Sequence, residues 1–251
     1  MIAGLLFAEL IALVAAASWP GDADLTDAFA LSAMEALTGT VHLAALILAV
    51  GFFLLGLVDD LAADRQSKGL AGHLKALMRG TVTTGTIKAV GGLALALAVA
   101  WWIEGSALET LLDALLIALA ANLVNLLDLR PGRAVKSFLI LWLPVVATLL
   151  AKNHSLAPAL AAAGFAAVAW LPADLGERGM LGDSGANMLG AILGAAVAWA
   201  FDMPLKLAVL AVLALTTLSS ERWSFTKVIE RVGPLRWFDE LGRVPGTRQW
   251  E

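Results

Sequence analysis

Stretches of 14 to 20 largely apolar residues return eight times along this chain, at 2–17, 41–58, 85–103, 108–127, 138–151, 156–171, 185–201 and 205–218. A helix of roughly 20 such residues crosses the hydrocarbon core of a bilayer. Inside lipid a continuous apolar segment of this length must satisfy its own backbone, which a helix does and an open strand does not. The expected fold class is therefore all-α, a polytopic transmembrane helix bundle of about eight spans. Composition agrees, since 60% of the 251 residues are hydrophobic, too many for a soluble surface. There are no cysteines, which excludes disulfides and thiolate metal sites. The run at 2–17 ends in small residues, as a signal peptide does, but no Lys or Arg precedes it. It is read as a retained first span.

Basic residues set the orientation. If the loop after the second span is cytoplasmic, that side receives 15 of the 17 Lys and Arg, and only Lys152 and Lys206 fall on the other. The outer loop at 18–40 holds Asp22, Asp24, Asp27 and Glu35 without a base. Both termini are then cytoplasmic, in a multi-pass protein of the inner membrane. Residues 1–220 read as the bundle and 221–251 as a cytoplasmic amphipathic tail. In the tail, Phe225, Val228, Ile229 and Val232 follow helical spacing, Pro234 restarts a turn, and Leu235, Phe238 and Leu241 line one face. Flanking Trp and Arg suit a helix pair lying on the inner leaflet; a short cap packed on the bundle is the plainer alternative. A Gly190-to-Gly194 spacing in the seventh span marks close helix packing.

Three polar clusters carry chemistry. Asp59 and Asp60 adjoin the inner end of the second span. Two carboxylates beside hydrocarbon repel each other and call for a cation, supplied by a divalent metal or by Arg65 and Lys68; a solvated helix end is the bland reading. Asn122, Asn125 and Asp128 form an i, i+3, i+6 stripe at the end of the fourth span, followed by Arg130-Pro131-Gly132-Arg133. Amides there require partners, and the two guanidinium groups suit phosphate oxygens. Gly182-Asp183-Ser184-Gly185 opens the seventh span, where Asp183 is either an ordinary N-cap or a metal ligand beside a phosphate-attracting helix N-terminus. The topology puts all three clusters on one membrane face. Acids, amides and bases together there fit magnesium-dependent phosphoryl transfer at the bilayer surface.

In their order, Val58-Asp59-Asp60 with Lys68-Gly69, then Asn122 to Asp128, then Leu181 to Gly190, these motifs resemble the polyprenyl-phosphate N-acetylhexosamine-1-phosphate transferase family. The resemblance covers roughly 51–194. It implies transfer of a sugar-1-phosphate from a UDP-amino sugar to polyprenyl phosphate, with release of UMP and Mg2+ as cofactor. By that likeness Asp59 and Asp60 are catalytic carboxylates. Lys68, Asn122, Asn125 and Asp128 contact substrate, and Asp183 with Asp128 holds the metal. Arg130 and Arg133 are assigned to the donor as a hypothesis of this chain. The family's stripe continues to a second Asp, where this chain has Pro131, and its later His-rich segment has no counterpart among His42, His73 and His154. The expected partners are the lipid phosphate, the UDP-sugar and the membrane, with no nucleic acid; a homodimer follows from the likeness alone. Two other classes stay open: a non-catalytic relative that binds lipid-linked or nucleotide ligands, and a small cation-coupled transporter.

Overall fold

In the computed structural model the described residues are 39–62, 72 and 78–243. Among them the structure is entirely helical. Seven long helices come first: α1 (Thr40–Ala62), α2 (Thr84–Glu104), α3 (Ala107–Leu127), α4 (Arg133–Ala151), α5 (Ala157–Leu175), α6 (Gly182–Ala200) and α7 (Met203–Ser220). Two short ones follow, α8 (Phe225–Arg231) and α9 (Gly233–Glu240). The first expected span, 2–17, lies outside the described residues. Six helices, all the long ones except α6, are long and apolar enough to cross a membrane. The chain is thus a multi-pass membrane protein.

The helices run past the apolar runs at their polar ends. α1 continues through Asp59 and Asp60, α4 begins five residues early at Arg133, and α6 begins at Gly182. Hydrogen bonding inside a helix has no reason to stop where hydropathy falls, so the site residues ride on rigid turns rather than on loops.

α6 differs from its neighbours. Every residue from Ser184 to Ala198 is buried, and the helix packs most extensively on α3 and α1. A segment enclosed by protein does not need a lipid-facing surface, and this one opens with Gly, Asp and Ser. Small residues let its backbone approach closely. A Cβ at Gly190 would stand 2.6 Å from the Ala121 Cα, and one at Gly194 would stand 2.8 Å from the Ile117 Cα. The expected glycine spacing is therefore the α3–α6 seam.

At the end of α3 remote from Asp128, Lys206 of α7 donates to both Asp113 oxygens, at 2.9 and 3.2 Å. Asp113 is fully buried and Lys206 nearly so. Removing one partner of such a pair strands the other charge. Lys206→Met should cost about 3 kcal/mol of stability, read by unfolding in detergent, and adding Asp113→Leu should recover most of that loss.

The tail folds back as the α8–α9 hairpin. Phe225, Val228, Ile229, Leu235 and Phe238 face Leu123, Leu127 and Thr216 across a cavity of about 290 Å³. Of the apolar stripe read from the sequence, Phe225, Ile229 and Phe238 are half-buried there, whereas Val228, Val232, Leu235 and Leu241 are exposed, as are Trp223 and Trp237.

Candidate active site

The first requirement at this end of the bundle is a cap for α6, whose first N–H groups have no partner within the helix. Its own preceding residue, Leu181, supplies no side-chain bond. Asp60 of α1 does so from across the bundle. Its Oδ1 accepts the Asp183 N–H at 2.9 Å, and its Oδ2 accepts the Ser184 N–H at 3.0 Å and the Ser184 hydroxyl. The approach requires Gly182, which has φ 66°; a Cβ there would lie 2.9 Å from Asp60 Oδ2. At Gly56 a side chain would strike the backbone of Asp183 and Ser184.

Adjacent residues on a helix point about 100° apart, so Asp59 faces elsewhere. Its Oδ2 lies 2.7 Å from the Lys88 Nζ. The same ammonium donates to Asp183 Oδ2. Asn125 completes the group. With its amide turned so that both ends are satisfied, it donates to Asp183 Oδ1 at 2.9 Å and accepts from Lys88 at 3.3 Å. Asn187 donates to the Asp183 carbonyl at 2.6 Å, fixing the turn that carries the carboxylate. Four helices, α1, α2, α3 and α6, thus converge on Lys88.

Asp128 ends α3 beside this cluster. Its Oδ1 is buried without a hydrogen-bond partner among the described residues. Burial, then the charges of Asp174, Asp183 and Asp60, push its carboxyl up to about 7, against the Gly182 N–H that draws it down.

The remaining expected residues sit differently. Asn122 donates to the Thr217 hydroxyl of α7 at 3.2 Å, a helix-to-helix bond. Arg133 is buried and turned to the tail, where its Nε and Nη2 meet the Asp239 carboxylate at 2.6 and 3.0 Å. Arg130 bonds Glu230 and lies 3.8 Å from Asp239. Lys136 spends three hydrogen bonds on the carbonyls of Phe238, Asp239 and Leu241, which caps the end of α9. The guanidinium groups expected to hold phosphate hold the tail in this structure. Lys68 lies outside the described residues.

Lys88 was not among the residues singled out by sequence. It lies inside an apolar run, and a charge within a span is a functional signal in its own right.

The tail latch gives a test. Burial works against the Asp239 charge, but the hydrogen bonds and charge of Arg133, with Arg130 and Lys136, outweigh it and hold the carboxyl below its ordinary value. A carboxyl depressed by folding stabilises the docked tail above its unfolded pKa of about 3.9, and the contribution is lost as pH falls through the folded value. Cleavage by pepsin between Trp223 and Phe238, normalised at each pH to cleavage of an unstructured peptide of the same sequence, should stay slow at pH 5 and accelerate sharply towards pH 2.

The oxygen donors of Asp59, Asn125, Asp128 and Asp183 are of the type Mg2+ prefers. Among the described residues no group of three His, Asp or Glu stands together as a metal cage. The orphaned Asp128 oxygen fits a cation.

A family model described as glycosyl transferase family 4 matches residues 42–200. No curated protein and no solved structure matches the chain.

Proposed function

The chain belongs to glycosyl transferase family 4, and we propose on that basis that it moves a sugar-1-phosphate from a UDP-amino sugar to polyprenyl phosphate, releasing UMP, on the cytoplasmic side of the inner membrane in cell-envelope glycan assembly. The observation that carries this reading is the convergence of Asp59, Asn125 and Asp183 on Lys88 at the N-terminus of α6. A cation and a helix N-terminus beside metal-preferring carboxylates are what a diphosphate donor requires.

In the proposed reaction an oxygen of the lipid phosphate attacks the sugar-proximal phosphorus of the donor. The bond from that phosphorus to the bridging oxygen breaks, and UMP leaves with the electron pair. Asp183 and Asp128 would hold Mg2+, which when bound offsets the growing phosphate charge. Lys88 neutralises a phosphate oxygen as it arrives between Asp59 and Asp183. Asp59 orients the lipid phosphate or takes its proton. Asp60 acts one step back, holding the first turn of α6 and with it Asp183. Asn125 keeps Asp183 in place.

Two further features support a lipid acceptor and a cytoplasmic site. An apolar cavity of about 470 Å³ lies between α3, α4, α6 and α7, with Leu123 and Val124 lining it next to Asn122 and Asn125 in sequence. Among the described residues, every Lys and Arg except Lys152 and Lys206 falls on the segments that this reading assigns to the site's end of the bundle, as the inner side of a membrane protein requires. The hairpin α8–α9 lies at that same surface in this reading.

The test is UMP release by purified protein given a short polyprenyl phosphate, Mg2+ and a panel of UDP-sugars. Release should need both the lipid phosphate and Mg2+, and should stop on chelation with EDTA. Tight lipid binding without release from any donor would instead support the non-catalytic relative, a reading favoured by the engagement of Arg130 and Arg133 with the tail.

A further inference from the structure

Asp174 occupies an unfavourable place. It lies in the last turn of α5, where the helix dipole disfavours an acid. It is fully buried, and neither carboxylate oxygen has a hydrogen-bond partner among the described residues. The Gly132 N–H and the Lys136 charge act to keep it ionised, against its burial. The nearest counter-charge, Lys136, has three hydrogen bonds committed to tail carbonyls.

Its neighbours locate it. Leu175, the next residue, abuts the turn after Asp128: a Cβ at Gly132 would lie 3.2 Å from the Leu175 Cγ and 3.6 Å from the Lys136 Cε. Asp174 is also the charge that acts most strongly on Asp128. Around this end of the bundle stand Asp59, Asp60, Asp128, Asp174 and Asp183; among the described residues the bases there include Lys88 and Lys136, with Arg178 on the Pro172 carbonyl and Arg243 paired to Glu177. Arg130 and Arg133 do not redress the imbalance, being paired to Glu230 and Asp239. A buried, unpartnered carboxylate beside another with an orphaned oxygen is costly unless a cation joins them.

We infer that Asp174 is a divalent-cation ligand, sharing with Asp128 an ion held at the junction of α3 and α5. The inference rests on the reading that this end of the bundle takes Mg2+, and it adds a residue from an element that supplies none of the three motifs. Two carboxylates suffice for an ion that completes its shell with water and phosphate oxygens.

The experiment needs no turnover. Mn2+ binding to purified full chain is followed by electron paramagnetic resonance without donor or lipid, and thermal unfolding is followed with and without Mg2+. Asp174→Asn should bind Mn2+ at least about tenfold more weakly than wild type and lose the Mg2+-induced rise in Tm. Without metal it should unfold at a higher temperature than wild type, because the amide removes a stranded charge. Asp174→Glu, which keeps the charge, should retain part of the Mn2+ affinity. Unchanged Mn2+ affinity and Mg2+ response in Asp174→Asn would overturn the assignment while leaving the metal reading intact. Failure of Asp174→Asn to fold would overturn it in favour of a structural carboxylate. Absence of Mn2+ binding in wild type would overturn the metal reading as well.

Discussion

Asp183→Asn should lower UMP release at least about a thousandfold, and Lys88→Met should come close to the same loss. The two residues are one device. Lys88 touches Asp59, Asp183 and Asn125, so removing it leaves two carboxylates facing each other with no cation between them. Asparagine at 183 keeps the shape of the turn but offers one neutral oxygen where a metal or ammonium needs a charged one. The two losses should not add, because groups acting as a unit fail together. Asn122→Ala is the control: its bond goes to Thr217 on α7, and its turnover should stay within about tenfold of wild type. Rates are compared at equal folded protein, judged by thermal unfolding. Full activity in Lys88→Met would remove the cluster from the chemistry.

Gly190→Val should prevent folded protein from accumulating at all. The residue sits where α6 crosses α3, and a Cβ there meets the Ala120 carbonyl and the Ala121 Cα. Backbone cannot move aside as a flexible side chain does. Accommodating a branched side chain means prising α6 away from α3, along a seam that also holds Ala120, Ala121, Ala191 and Ala195. Overpacking a core costs typically 1–3 kcal/mol when side chains can yield, and about that or more again when they cannot. Gel filtration in mild detergent should show aggregate in place of the single species expected of wild type. Ala208→Val, on α7 and exposed, should pass unnoticed.

Much of this architecture is legible in hydropathy, and the reason is physical. A lipid-facing helix must be apolar along its length, so α1 to α5 and α7 announce themselves. α6 is the exception that sequence treats as one more span. Its hub role shows only in small residues recurring at Gly190, Ala191, Gly194, Ala195 and Ala198, a pattern that says two backbones come close without saying which. The motif acids were likewise visible, but their division of labour was not. Asp59 and Asp60 are neighbours in sequence, and only the packing of α1 on α6 makes one a partner of Lys88 and the other a cap. Arg130 and Arg133 looked suited to phosphate because guanidinium groups bind any oxyanion. Glu230 and Asp239, about a hundred residues later, satisfy the same chemistry, and no local pattern reveals that. Asp174 carried no signal beyond being an acid near the end of an apolar run.

The cap that α1 lends to α6 has a consequence for biogenesis. During synthesis α6 leaves the ribosome some 120 residues after Asp60, bringing a polar first turn whose amides have no partner within the helix. Lipid is a poor host for that segment, whereas α1 and α3, already inserted, offer both a carboxylate and a groove. Asp183 reaches Asp59 and Lys88 only once α6 has settled against α1 and α3, so the proposed site forms together with the packing that completes the bundle.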